Sequence, residues 1–378
     1  MKRALSASWN YLKKADIFLL ALCLINSIFG LVLIWSAARG APGAPATALS
    51  VQTGALILGL FCFVIFSLID LDSIARHWKF ILLFNILLLL SLRVFGTGIA
   101  GGYRIWLRFG PIGIQPSEVV KITFIIMFAY HIHYLKEYKN LNSFFSLAQL
   151  AVHFSYVLVL VPDLGSQVIF IAIFIIMLFL AGVKLRWFAL GILLVVPLVI
   201  ILWRNDFFHY YQMQRILAPF DPTIDPGNIR WNFQPHRSRI AIGSGQIFGQ
   251  GLGEGTQTQA GNVPFQWTDF IFSAAGEEFG MIGAILVMVL LLLVIIRCFY
   301  VAAKARDTLS SLTCGGVGAF MMFQTLGNIG MTLGLTPVVG LALPFFSYGG
   351  SSLMMTFVAM GLVCGVKMRT VSPWKRAL

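Results

Sequence analysis

The residues best placed to do chemistry in this chain are acids standing at the edges of apolar runs. Asp269 leads them. The segment Trp267-Thr268-Asp269-Phe270-Ile271-Phe272 closes a polar interruption, Asn205 to Thr268, and opens the next apolar stretch. A carboxylate at such a boundary costs solvation energy unless it has a partner, which suits chemistry at a membrane surface. A plainer explanation also stands: an acid in the first helical turn complements the helix dipole, with Thr268 as N-cap. On one continuous helix Glu277 lies about 80° around from Asp269, and Glu278 about 180°. Glu277 is therefore expected to share a cleft with Asp269, and Glu278 to face a neighbouring helix.

A second group is Gln115-Pro116-Ser117-Glu118-Val119-Val120-Lys121. Pro at the first helical position and Glu in the first turn start a helix, and Glu118 and Lys121, three apart, share a face. An ion pair inside an apolar slab is costly and usually retained for a role, although orienting the helix is the simpler alternative. The turn Pro162-Asp163-Leu164-Gly165-Ser166-Gln167 sets Asp163 at the interface. Leu343 to Ser352 presents Ser347 and Tyr348 in a Ser-Tyr-Gly-Gly turn that either packs helices or faces a polar ligand. The glycines between Gly243 and Gly255 permit close backbone approach. No strand precedes them, so they are not a nucleotide fingerprint, and no Gly-x-Ser-x-Gly nucleophile elbow appears.

The elements that must position these residues are membrane helices. A chain of 378 residues that is 58% hydrophobic and 11% charged, with mean hydropathy +0.87, is too apolar for a soluble domain. Its apolar runs read as about ten spans of roughly 20 residues each: 17–36, 51–69, 78–95, 116–135, 145–161, 165–183, 187–203, 270–299, 312–334 and 349–367. The expected fold is an all-α polytopic membrane protein, one integral domain over 1–378. Lys-rich segments, including Lys2, Arg3, Lys375 and Arg376, alternate with segments whose basic residues are all Arg. The positive-inside rule then puts both termini in the cytoplasm and the large loop, about 205–268 between spans 7 and 8, outside. The net charge of +13 is mostly this flanking charge. It suits anionic lipid and forms no nucleic-acid stripe. The five cysteines sit in or at predicted helices without paired spacing, which argues against a disulfide framework.

Taken together these segments closely resemble the SEDS family (shape, elongation, division and sporulation), which includes RodA and FtsW. The resemblance is carried by Gln115 to Glu118 with Lys121, Pro162 to Ser166, Ile240 to Gly245, Thr268 to Phe272 with Gly276-Glu277-Glu278, Asn328 to Met331, and Pro344 to Ser352. Gly255-Thr256-Gln257 looks more like RodA than FtsW. The family implies a peptidoglycan glycosyltransferase that polymerises lipid II outside the bacterial cytoplasmic membrane, for cell elongation and shape. It also implies a class B penicillin-binding protein as transpeptidase partner. By position Asp269 matches the family's essential acid, and Glu118 and Lys121 its buried ion pair. The sequence departs from the family beside Asp269. Where the family often has Leu-Pro-Glu and then a His directly before Thr-Asp, this chain reads Val263-Pro264-Phe265-Gln266-Trp267. The segment Gly102 to Leu107 resembles an Arg-Trp-Ile element with its Arg displaced by one position.

On this reading Asp269 is the catalytic base of an inverting transfer to the growing glycan strand. Arg104, Arg108, Trp106, Asp163, Arg215, Glu277, Ser347 and Tyr348 are candidates to bind substrate. The leaving pyrophosphate needs positive charge from arginine or from a divalent cation, Mg or Mn, for which Asp269, Glu277 and Asp163 are the candidate ligands. Two rivals remain open: a flippase for a lipid-linked precursor, and a non-catalytic membrane scaffold for a penicillin-binding protein.

Overall fold

The computed structural model describes residues 13–39, 41–100, 103–109, 112–205, 210–221 and 223–370. Lys2, Arg3, Lys375 and Arg376, used above to orient the chain, lie outside the described residues. Apolar runs become helices where local signals start them. Helices α1 (Ile17–Arg39), α2 (Ala48–Leu68), α3 (Leu71–Ala75) and α4 (Trp78–Phe95) come first. Then α5 (Pro116–Tyr138) starts on its proline, which has no N–H to leave unsatisfied. Ser143 caps α6 (Phe144–Leu160) by accepting from the Ser146 amide, and Asp163 caps α7 (Leu164–Leu180) in the same way from Ser166. Helix α8 (Leu185–Arg204) follows, with Pro197 inside it and no buried residue along its length.

Eight described helices are long and apolar enough to cross a membrane, and α6 and α7 are shorter apolar helices. Together they overlie the ten expected spans. Span 8 differs from expectation. Instead of one helix from 270, it is α12 (Ile271–Glu278) followed by α13 (Gly280–Lys304), broken at Phe279. Helices α14 (Thr308–Thr332) and α15 (Gly350–Thr370) complete the bundle, and α5, α14 and α15 form its buried centre.

Two connections are more ordered than the sequence indicated. Residues 97–114 form a three-stranded antiparallel meander, β1 (Thr97–Ala100), β2 (Tyr103–Phe109) and β3 (Ile112–Ile114). Thr97 pairs with Trp106, and Arg108 with Gly113. The fold is therefore helical with one small sheet. The loop expected over 205–268 holds α9 (Tyr210–Leu217), α10 (Phe233–Ser244) and α11 (Thr256–Gln259).

The glycine cluster explains how the break in span 8 is tolerated. The amides of Met281 and Ile282 donate to the carbonyls of Gln246 (2.9 Å) and Ile247 (3.3 Å). The amides of Gln250 and Gly251 donate to the carbonyls of Glu277 (3.0 Å) and Glu278 (3.1 Å). A loop thus satisfies both helix ends, as backbone groups in an apolar slab require. A Cβ on Gly245 or Gly249 would collide with the Glu277 or Glu278 backbone, so only glycine permits this approach.

Candidate active site

The sequence motifs converge on one irregular segment, Val338 to Gly349, threaded among helix ends. A Cβ on Gly165, at the start of α7, would meet the Val339 carbonyl, and a Cβ on Gly340 would lie 3.5 Å from Asp269 Oδ2. The α7 turn and the Asp269 turn therefore flank the same stretch of backbone. From α14, Gln324 Nε2 donates to the Ala342 carbonyl (3.0 Å) and Asn328 Nδ2 to the Leu341 carbonyl (2.6 Å). From α2, Gln52 accepts from the Gly349 amide (3.0 Å) and donates to the Ser347 carbonyl (3.2 Å).

Asp269 sits in the turn that precedes α12, outside the candidate spans. It is not the first-turn acid of a helix capped by Thr268. The N-cap is Phe270, with no side-chain cap, and the Thr268 hydroxyl donates to the Phe265 carbonyl. The Asp269 carbonyl is fixed by Asn328 Nδ2 at 2.8 Å, and the residue as a whole is half-buried. Burial pushes its carboxyl up to about 6, and the positive charge of Arg215 on α9 opposes that rise. Arg215 is thus within electrostatic reach of Asp269. The result is a carboxyl group held above its ordinary range by burial, with the positive charge of Arg215 acting on it.

The other candidates divide. Burial raises the Tyr348 hydroxyl and the charge of Arg108 opposes this, which places Arg108 near that ring at the mouth of α15. Asp163 spends Oδ2 on the Ser166 amide at 2.8 Å, whereas its buried Oδ1 has no hydrogen-bond partner. Ser347 is a staple: its hydroxyl accepts from the Leu343 amide (2.7 Å) and donates to the Thr268 carbonyl (2.6 Å). Arg104 turns away, its Nη1 donating to the Arg93 carbonyl at the end of α4. The Trp106 ring packs over Gly98 and Gly113 of the sheet.

Glu277 does not share the Asp269 cleft. It is fully buried and accepts from the amides of Gln257 (2.7 Å) and Thr258 (2.9 Å), the first turn of α11. Breaking span 8 into two helices does not move it outward, because α11 folds over it. Glu278 faces α1 as expected, accepting from Ser36. With Glu277 committed, the three carboxylates proposed as cation ligands do not act together, and the described residues contain no cluster of three or more His, Cys, Asp or Glu suited to a metal.

The Glu118–Lys121 pair forms at 2.6 Å, with both side chains nearly inaccessible. Lys121 also donates to Gln324 Oε1 (2.9 Å) and lies 4.8 Å from the Phe320 ring centre. Phe320, Gln324 and Asn328 stand at successive i, i+4 positions of α14. One helix face thus runs from the ion pair to the Asp269 backbone. Gln324, Gln52 and Gln266 escaped the sequence reading. The signal for the first two was available, since each is a polar side chain inside an apolar run.

Comparison with known proteins identifies the family. A family model described as cell cycle protein, covering FtsW, RodA and SpoVE, matches residues 16–371. The peptidoglycan glycosyltransferase MrdB of Escherichia coli K12 is 32% identical over 355 residues, 93% of each chain. A probable peptidoglycan glycosyltransferase FtsW of Geobacter metallireducens is 35% identical over 370 residues, 95% of this chain and 96% of that one. Among solved structures, a chain of a peptidoglycan synthase complex described as coordinating polymerisation and crosslinking superposes with TM-score 0.79 at 27% identity, covering 95% of this chain and 99% of that one. The rod shape determining protein RodA of Thermus thermophilus shares the fold, with TM-score 0.68 at 24% identity, covering 95% and 98%. The chain belongs to the FtsW, RodA and SpoVE family of cell cycle proteins, the SEDS family.

Proposed function

We propose that this protein is a peptidoglycan glycosyltransferase that polymerises lipid II at the outer face of the bacterial cytoplasmic membrane. The observation that carries the reading is Asp269: a half-buried carboxylate, ionising at about 6, fixed through its backbone by Asn328 and facing the charge of Arg215. The relatives named as peptidoglycan glycosyltransferases support the reaction class. Transfer of an α-linked sugar from a lipid pyrophosphate to the 4-hydroxyl of an acceptor, giving a β-1,4 bond, inverts the anomeric carbon. Inversion needs one base and no covalent sugar intermediate. Asp269 takes the hydroxyl proton as the oxygen attacks, and the pyrophosphate leaves with the bonding electrons. A base with pKa just below working pH is mostly ionised yet still basic, and such catalysis typically contributes about 10²–10⁴-fold.

Arg215 and Arg108 are the proposed sources of positive charge for the leaving group. Lys121 is withdrawn from that role by Glu118 and Gln324. In this reading ten spans place both termini in the cytoplasm and α9 to α11 outside, over Asp269. A class B penicillin-binding protein is the proposed partner, consistent with the synthase-complex chain that shares the fold.

The test supplies labelled lipid II to the purified protein in liposomes, with and without the partner. Glycan strands made by the wild type and absent from correctly folded Asp269→Asn support the enzyme. Lipid crossing the bilayer without polymer identifies a flippase. A rise in partner activity alone identifies a scaffold.

A further inference from the structure

The turn carrying Asp269 holds two aromatic residues where the chain departs from its family: Phe265 stands clear of the core, and Trp267 packs against its edge while staying partly exposed. Phe265 is 51% exposed and adopts φ 54, a left-handed conformation unfavourable for a bulky side chain and maintained only where surroundings over-determine it. What maintains it is visible. The Phe265 carbonyl accepts from the Thr268 amide (3.0 Å), the Phe270 amide (3.1 Å) and the Thr268 hydroxyl (3.2 Å). The same bonds close the turn around Asp269.

Between the two rings, Gln266 is driven inward. It is fully buried and donates to the Ala37 carbonyl (2.8 Å) and the Thr258 carbonyl (2.7 Å). That anchor leaves Phe265 facing outward, while Trp267 rests partly against the core. The rings of Phe265 and Trp267 come together at 6.2 Å between centres, inclined by 42°. Trp267 is only partly buried, its carbonyl tied to the Tyr348 amide at 2.9 Å. The outcome is an aromatic pair, Phe265 exposed on a strained backbone and Trp267 partly buried, within the turn that carries Asp269.

A pyranose ring has one face of C–H bonds and a rim of hydroxyls. The C–H face matches the electron-rich face of an aromatic ring, while the rim keeps its hydrogen bonds. We propose that Phe265 and Trp267 form a stacking platform for a sugar ring of the glycan substrate and orient its hydroxyl towards Asp269. This rests on the glycosyltransferase reading and makes both aromatics positioning residues.

Two measurements on the full-length protein test it. In the first, tryptophan fluorescence is followed while a soluble β-1,4-linked N-acetylglucosamine tetramer is added. Saturable quenching in the wild type that is lost in Trp267→Phe and weakened in Phe265→Leu supports the platform. In the second, the apparent KM for labelled lipid II is separated from kcat. Phe265→Leu is expected to raise apparent KM about three- to ten-fold, the scale of one good aromatic contact, while Phe265→Tyr stays near wild type. Phe265→Gly relieves the backbone, so it should melt at higher temperature and still show the raised KM. An apolar residue serving only as a membrane anchor would be replaced by Leu without change in KM, and that result overturns the proposal. If the wild type makes no glycan, the glycosyltransferase reading falls by itself, and the quenching experiment still decides whether the aromatics bind sugar.

Discussion

Asn328 Nδ2 donates to two backbone carbonyls at once, that of Asp269 at 2.8 Å and that of Leu341 at 2.6 Å. One side chain on α14 thus ties the turn carrying Asp269 to the segment that lies against it. Asn328→Leu leaves two buried carbonyls without donors, at a cost of about 1–3 kcal/mol for each unsatisfied group. The expected result is a lowered melting temperature in detergent and a fall in kcat larger than the rise in apparent KM. Unchanged kcat in protein that remains folded would show that the turn holds its position without the amide.

Asp269 sets a pH dependence in both activity and stability. A base ionising at about 6 must be deprotonated to act, so kcat should fall tenfold per pH unit below that value and level off above it. For stability the sign is opposite. The folded-state pKa lies above the ordinary carboxylate value of 3.8, so the fold favours the protonated form. That preference is fully present below pH 4 and is lost as pH rises through 6. Asp269→Asn is therefore expected to be inactive and, at pH 7.5, slightly more stable than wild type. Melting curves from pH 5 to 8 for both proteins measure this.

Arg215 opposes the rise in the Asp269 pKa. Arg215→Gln should move the acidic limb of the rate profile to higher pH, while Arg215→Lys should hold it near its original place with weaker leaving-group stabilisation. A profile unmoved by the neutral substitution would remove Arg215 from the neighbourhood of the base.

Glu118 and Lys121 form a closed pair at 2.6 Å. Removing one partner strands a buried charge and is expected to cost about 3–5 kcal/mol, whereas replacing both with apolar residues of similar volume is close to neutral. The singles Glu118→Leu and Lys121→Met should express poorly, and the double substitution should recover. Additive losses in the double-mutant cycle would break the pairing.

Glu277 carries a contrasting expectation. Its carboxylate caps α11 through the Gln257 and Thr258 amides, so Glu277→Gln should lower stability by about 1–3 kcal/mol and leave the apparent KM of the folded fraction unchanged. A large KM effect at constant stability would return this acid to the substrate site.

The helices were legible in the sequence because apolar length is a strong signal and few alternatives satisfy a backbone in lipid. The span expected over 78–95 is α4 residue for residue. The site was legible only in part. The spacing of Glu118 and Lys121 fixes their pairing on any helix, and they pair. Helical phase misled for Glu277, because Asp269 lies in the turn before α12 rather than on the helix, and the folding of α11 over Glu277 is a tertiary event that angular spacing does not contain. Arg104 and Trp106 were read as facing a ligand. The meander that commits them, one to the end of α4 and the other to the sheet, depends on strand pairing across a short, glycine-rich and largely apolar stretch with no clear alternation.

The stitching of Gln246 to Gly251 onto the interruption in span 8 has a mechanical consequence. Four hydrogen bonds couple the loop that follows α10 to both sides of the break before Gly280. A pull on the loop from any neighbour is delivered directly to the short helix behind Asp269. On the proposed function, the turn that holds the proton acceptor is thereby tied mechanically to the loop that lies over it.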